Sequence, residues 1–409
     1  MRSFFGWRVV GAAFVLAVFG WGMGFYGPPI FLRVVCETRG WPLAVVSSAV
    51  TAYFLVGAVV GANLPGLHRR LGIAAATKTA ALCLALGVLG WAAAVAPWQL
   101  FVAALLSGAG WSAMSAAAVN AIVSPWFLHG RPAALATAYN GGSVGGVIFS
   151  PLWVAAIALL GFPAAAAIVG AAAALTMWVL ADLLLSRTPQ QMGLAPDGDA
   201  TGAATACVAP DPEQPLPGSR LWRNRKFLTL AAAMALGLFA QIGLTAHLFS
   251  LLAPVLGAQQ SGLAMGLATA LAIGGRTLTG WFMPAGADRR LLACLSYAVQ
   301  LAGSIAFALA GGSIPLLLLG IVLFGAGFGN STSLPPLIAQ SEFVQHDVPR
   351  VVALIVAIAQ AGYAFAPAAF GLLRALSSGA AAPAAAPGLF VCAALVQGLA
   401  IVALLAGRR

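Results

Sequence analysis

Twelve apolar runs, each long enough to cross a lipid bilayer as a helix, constrain this chain more than any other feature. Crossing the hydrocarbon core takes about 20 apolar residues, because a helix rises ~1.5 Å per residue and no water is there to satisfy a bare backbone group. The runs lie near residues 8–32, 42–64, 74–95, 98–124, 131–159 and 162–186, and again near 227–253, 260–283, 289–311, 314–340, 348–375 and 384–406. Composition names the solvent: 61% of the residues are hydrophobic and 7% charged, against roughly a quarter charged in a soluble domain. The fold class expected is an all-α membrane protein. The first run is too long for a signal-peptide core and shows no small-residue cleavage pattern, so it is expected to remain in the mature protein.

The net charge of +11 comes from residues that punctuate the apolar runs, not from the basic stripe that a nucleic-acid partner needs. Arg2, Arg8, Arg69, Arg70, Lys78, Arg131, Arg187, Arg220, Arg223, Arg225, Lys226, Arg289, Arg290, Arg350, Arg408 and Arg409 share alternate loops, and Arg33, Arg39 and Arg374 fall opposite. Basic residues stay cytoplasmic during insertion, so both termini and the central loop are expected inside, in a bacterial-type inner (plasma) membrane. Residues 188–225 are enriched in Pro, Gly, Asp and Glu, and the prolines between 210 and 217 exclude a regular helix there. The expected organisation is an N-terminal six-helix bundle (1–190), a cytoplasmic linker (191–225) and a C-terminal six-helix bundle (226–409).

The halves repeat one another faintly. Gly108-Ala109-Gly110 recurs as Gly325-Ala326-Gly327, Ser150-Pro151 as Ala366-Pro367, and Arg69-Arg70 as Arg289-Arg290. Three matches in corresponding places support a duplicated bundle. Cys36, Cys83, Cys207, Cys294 and Cys392 are scattered, with no C-x-x-C pair or His cluster, which speaks against a zinc site or a disulfide framework. There is no phosphate-binding G-x-x-x-x-G-K-[ST] loop, and the runs hold no paired acids or Ser/His set. No enzyme activity, metal or cofactor is expected, and energy for transport must come from a gradient or from the solute.

The opening of the fifth run reads Trp126-Phe127-Leu128-His129-Gly130-Arg131-Pro132-Ala133-Ala134, followed by Gly141-Gly142-Ser143-Val144-Gly145-Gly146. Gly6-Trp7 precedes the first run, and Glu37-Thr38-Arg39-Gly40-Trp41 precedes the second. With these stretches the chain resembles the major facilitator superfamily, closest to its monocarboxylate-transporter and oxalate/formate-antiporter-like branch. The resemblance implies twelve helices in two pseudo-symmetric six-helix bundles, alternating access by rocking about a midplane site, and a monomeric transport unit. The chain departs from the superfamily in the second-to-third loop, where the stretch from Asn63 to Gly72 lacks the usual acid, and in its repeat from Gly280 to Pro284. The glycine pairs Gly57/Gly61, Gly141/Gly145 and Gly142/Gly146 set small faces one turn apart, fit for helices that slide or for static packing.

Few polar groups lie inside the runs, and Arg276 in the eighth is the sharpest. A cation there costs roughly 2.5–3.5 kcal/mol on insertion scales unless it faces water or a partner. A planar guanidinium matches a carboxylate, and the resemblance implies an eighth-helix Arg that engages one. The other reading is a side chain that snorkels to the interface. Relatives often carry an acid one turn earlier, where this chain has Ala272, and an eleventh-helix Lys is missing, which favours a monoanion. His247 is the histidine well inside a run, either carrying a coupling proton or hydrogen-bonded between helices. Tyr139, Asn140, Gln241, Asn330, Gln360 and Tyr363 complete the candidate substrate-binding set, with Asn120 as a further donor, although each also suits a helix–helix hydrogen bond. Asp182 is expected at the interface. The function expected is secondary active transport, symport or antiport, of a small organic anion such as a monocarboxylate, with protons and the bilayer as its other partners. The alternative is proton-coupled efflux of hydrophobic or cationic compounds, which usually needs a membrane-embedded acid.

Overall fold

Without water, a spanning segment satisfies its backbone only by closing its own hydrogen bonds, and all the apolar runs fold as helices. The computed structural model describes residues 4–127, 130–198, 218–282, 287–344, 347–377 and 386–408. Arg2, Leu128, His129, Cys207, the prolines between 210 and 217, Pro284 and Arg409 lie outside the described residues. The first six spans are α1 (Phe5–Gly24) with α2 (Gly27–Arg39), α3 (Leu43–Leu71), α4 (Ile73–Ala93), α5 (Pro97–Ser112) with α6 (Ala116–Val123), α7 (Arg131–Leu160), and α8 (Phe162–Leu180), which runs into a π-helical turn at Ala181–Leu185. After the short α9 (Gly218–Leu221) come α10 (Arg225–Leu256), α11 (Ala258–Phe282), α12 (Arg289–Leu309), α13 (Ile314–Phe328) with α14 (Asn330–Glu342), α15 (Val348–Tyr363) with α16 (Ala366–Ser377), and α17 (Pro387–Ala406). Among the described residues, eleven segments are both long and apolar enough to cross a membrane. The twelfth, α11, has 25 residues, about 37 Å of helix, but Gln259, Gln260 and Arg276 dilute its apolar character.

The chain divides into two compact units, Met1–Ala209 and Pro210–Arg409, with the division inside the expected linker. Part of that linker is anchored: Asp197 accepts a hydrogen bond from the Gly130 N–H (3.1 Å) at the start of α7. Some of the turns between spans are single glycines. Gly161 alone joins α7 to α8 and Gly257 alone joins α10 to α11, at φ 78° and 81°, where a Cβ would be strained.

Most helix pairs recur in both units, the close packing of α10 on α17 in the second being the exception. In the first, α1 packs on α7, α3 and α4 on α5, and α4 on α8. In the second, α10 packs on α15 and α16, α11 and α12 on α13, and α12 on α17. The repeated Gly-Ala-Gly explains part of this equivalence. A Cβ on Gly108 would strike the Tyr53 carbonyl of α3, and one on Gly325 would come within 2.6 Å of the Ala268 carbonyl of α11. A Cβ on Gly110 would come within 2.6 Å of Ala80 O of α4, as one on Gly327 would come within 2.5 Å of Ser296 O of α12. The Gly141/Gly145 face meets the Phe14 and Val18 carbonyls of α1, so those glycines allow two backbones to touch.

Both fourth-in-unit spans break just after the Gly-Ala-Gly motif, between α5 and α6 and between α13 and α14. The first span also breaks, and its end carbonyls are capped from neighbours: the Tyr53 hydroxyl donates to Gly24 O (2.6 Å) and Trp153 Nε1 to Gly22 O (3.2 Å). A helix end buried in hydrocarbon needs such donors.

Candidate functional site

The break in the tenth span organises the polar residues of the second unit. At Gly329 a Cβ would collide with the Ala272 carbonyl and lie 3.3 Å from Arg276 Cβ, so glycine lets α11 approach the break. Arg276 is half-buried there, and its Nε donates to Gly329 O at 3.0 Å. The carboxyl end of α13 carries partial negative charge, which favours a cation beside it. Next in sequence, the buried Asn330 donates from Nδ2 to Thr279 Oγ1 (2.9 Å) and Ser296 Oγ (3.0 Å), tying α14 to α11 and α12. Gln300 of α12 adds bonds to Gly327 O (3.1 Å) and Ser331 Oγ (3.0 Å). Of the sequence candidates, Arg276 and Asn330 are thus brought together, whereas Gln300 was not singled out. Its signal was an amide in the middle of the ninth apolar run.

A second group lies on α10, where every residue from 240 to 253 is buried. His247, fully buried, donates from Nε2 to Pro367 O (2.9 Å) on α16. Its Nδ1, Gln241 Oε1 and Thr245 Oγ1 have no hydrogen-bond partner among the described residues. One turn on, Ser250 donates to His247 O (2.7 Å) and accepts from Arg374 Nη1, so the cation that the sequence placed in an outer loop reaches from the last turn of α16 to α10. Gln360 and Tyr363 sit half-buried on α15, which packs on α10, and Tyr363 rests against the apolar cluster that includes Met234 and Leu238. Tyr139 and Asn140 belong to the first unit. The Tyr139 hydroxyl donates to Ala116 O (3.2 Å) at the start of α6, and Asn140 is exposed, as is Asn120, whose Oδ1 accepts from Ser124 Oγ (2.7 Å).

The sequence places Arg290 among the loop charges, and the structure buries it. Arg290 is 2% exposed, not a solvated loop residue, and its guanidinium holds Glu342 through two bonds, Nε to Oε1 (2.6 Å) and Nη2 to Oε2 (2.8 Å). It also donates to Thr229 Oγ1 (3.1 Å), Lys226 O (2.9 Å) and Leu404 O (3.2 Å), joining α10, α12, α14 and α17. Asp288 caps the first turn of α12 by accepting from the Arg290 (2.9 Å) and Leu291 (3.1 Å) N–H groups, and pairs with Arg408 Nε at 2.7 Å. Partial burial pushes the Asp288 carboxyl up, but the Leu291 N–H, the Arg408 guanidinium and the Arg290 N–H outweigh it and hold the group below its usual range. In the first unit Asp182 pairs with Lys78 of α4. No group of three potential metal ligands occurs among the described residues.

Residues 13–367 match the sequence profile of the Major Facilitator Superfamily. No curated protein sequence matches the chain. Among solved structures, the chain is similar to the nucleoside transporter NupG at 14% identity and a TM-score of 0.73, with 100% of each chain covered. It is similar to the D-xylose-proton symporter at 13% identity and 0.74, covering 98% of this chain and 97% of that one. A bacterial homolog of the human lysosomal transporter Spinster follows at 14% and 0.73, covering 100% and 98%. At such identities the structures share a fold, while the profile match spans most of the sequence. With paired six-helix units, repeated glycine contacts and that match, the chain belongs to the Major Facilitator Superfamily and is a multi-pass membrane transporter.

Proposed function

We propose that the chain is a secondary active transporter of a small organic anion, a monocarboxylate in the simplest case. The observation that carries this reading is Arg276, a permanent cation within a spanning helix, held through Nε at a backbone break. A planar guanidinium matches the paired oxygens of a carboxylate, and the insertion cost of the charge favours a site that meets an anion. Uncharged solutes such as a nucleoside or xylose would not need this cation. Thermal unfolding of the purified protein against a panel of organic anions tests the reading, since a ligand at 100 times its dissociation constant adds ~2.7 kcal/mol. A monocarboxylate should raise the midpoint of the native protein and leave Arg276→Lys, which loses the planar fork, nearly unmoved. Stabilisation by organic cations instead would favour the efflux reading.

Proton coupling is assigned to His247. With Nε2–H committed to Pro367, an incoming proton would add at Nδ1. In this reading, His247→Gln flattens the pH dependence of uptake while exchange of pre-loaded substrate continues. An unchanged pH profile would return His247 to a purely structural role between α10 and α16.

A further inference from the structure

We propose that an open cavity at the α12 N-terminal end of the second unit binds a phosphate-type anion, either the headgroup of an anionic phospholipid or free phosphate. The cavity measures about 210 Å³ and is lined by Lys226, Asp288, Arg289, Arg290, Glu342 and Arg408. A water needs roughly 10–15 Å³ of such space, so that is room for several waters or one tetrahedral anion. It shares no residue with the Arg276 site, so it stands or falls independently of the substrate reading.

Charge pairing carries the argument. Four cations and two carboxylates line the cavity, and both carboxylates are committed. Glu342 is gripped by two bonds from Arg290, and Asp288 is held by Arg408 and by two backbone N–H groups of α12. Lys226 and Arg289 remain. The exposed Lys226 ammonium has no partner among the described residues, and Arg289 Nη1 donates to a neutral acceptor, Leu337 O. Two positive charges are therefore left uncompensated among the residues that line the cavity, beside the buried Arg290, which is fixed by five hydrogen bonds. Donors arranged around a space, not in one plane, suit an anion with three or four acceptor oxygens better than a single carboxylate. Trp222, 50% exposed and packed edge-on against Phe227 at 5.4 Å, stands four residues before Lys226. An exposed tryptophan beside basic residues is characteristic of the headgroup level of a bilayer.

The test is native mass spectrometry of the detergent-purified protein titrated with phosphatidylglycerol or phosphatidylcholine, with thermal unfolding in inorganic phosphate as a parallel arm. The native protein should retain a phosphatidylglycerol that phosphatidylcholine does not replace. Lys226→Gln/Arg289→Gln should bind it about tenfold more weakly, the loss expected for one charge-assisted contact or more. Arg69→Gln/Arg70→Gln, which removes the same charge from the exposed surface of the first unit, should bind as the native protein does. A midpoint raised by inorganic phosphate identifies the free anion as a ligand, and a response to the lipid alone identifies the headgroup. If the double variant is poorly folded, Lys226→Gln alone replaces a side chain that holds nothing in the fold, and a several-fold loss is still expected. Equal binding by native and variant proteins, an equal loss in the surface control, or no preference over phosphatidylcholine with no phosphate response would each overturn the proposal.

Discussion

Each unit ties down its third span through a cation near that helix's start, and the two ties have opposite characters. Lys78 of α4 meets Asp182 in the open, with side chains 21% and 56% exposed, whereas Arg290 of α12 meets Glu342 at 2% and 16%. Most helix pairs are repeated but the polar content is not. The first unit joins its spans with single bonds from Tyr53, Trp91, Ser112 and Trp153. The second buries Arg290, Gln300, Asn330, Gln397 and His247. The backbone contacts set by glycine recur in both units while the polar interior does not, and most of the candidate transport residues lie in the second.

The two ion pairs should differ most in what their loss costs. Glu342→Ala strands a buried guanidinium and should cost about 3–5 kcal/mol, seen as a large fall in the unfolding midpoint in detergent. Asp182→Ala, which releases a solvent-screened pair, should cost roughly 0–1 kcal/mol. Equal losses would mean that burial does not distinguish the pairs. Next come the glycine contacts. Gly275→Ala drives a methyl into the Ala326 carbonyl and should destabilise by about 1–3 kcal/mol, while Gly274→Ala, with open space around it, should be neutral or gain up to about 1 kcal/mol of helix propensity. A modest loss is expected in the first unit, where Tyr53→Phe removes one hydroxyl from Gly24 O and should cost about 1 kcal/mol. A loss as large as that from Glu342→Ala would show the first unit to be equally dependent on its polar anchors.

Span positions were legible because apolar length is a property of the chain alone, and even α11 could be placed despite Arg276. The repeated Gly-Ala-Gly was legible as a motif, and the structure supplies its reason in the backbones it lets meet. The breaks were not legible. Proline does not decide them: α7 runs through Pro151 and α14 through Pro335 and Pro336, and the breaks after the two Gly-Ala-Gly motifs hold none, although Pro28 and Pro29 open α2 after the break in the first span. In a bilayer, neighbours re-satisfy the backbone groups that a proline frees, so the residue alone does not decide. The burial of Arg290 was hidden for a related reason. A charge in a short loop reads the same whether it is solvated or folded back, and its acceptor Glu342 lies 52 residues away. His247 was visible as a polar residue in an apolar run, but Pro367 O, 120 residues on, could not be paired with it in advance.

The proposed anion transport rests on Arg276. It is tested most directly by uptake of radiolabelled monocarboxylates into proteoliposomes containing either native protein or Arg276→Gln, matched for folded protein by size-exclusion profile. The native protein should accumulate at least one monocarboxylate, and Arg276→Gln should show none above empty vesicles, because a neutral amide loses charge-assisted bonds of roughly 1.5–3 kcal/mol each. Native-level uptake by a well-folded Arg276→Gln across the panel would contradict the account and leave Arg276 as a structural tie to Gly329.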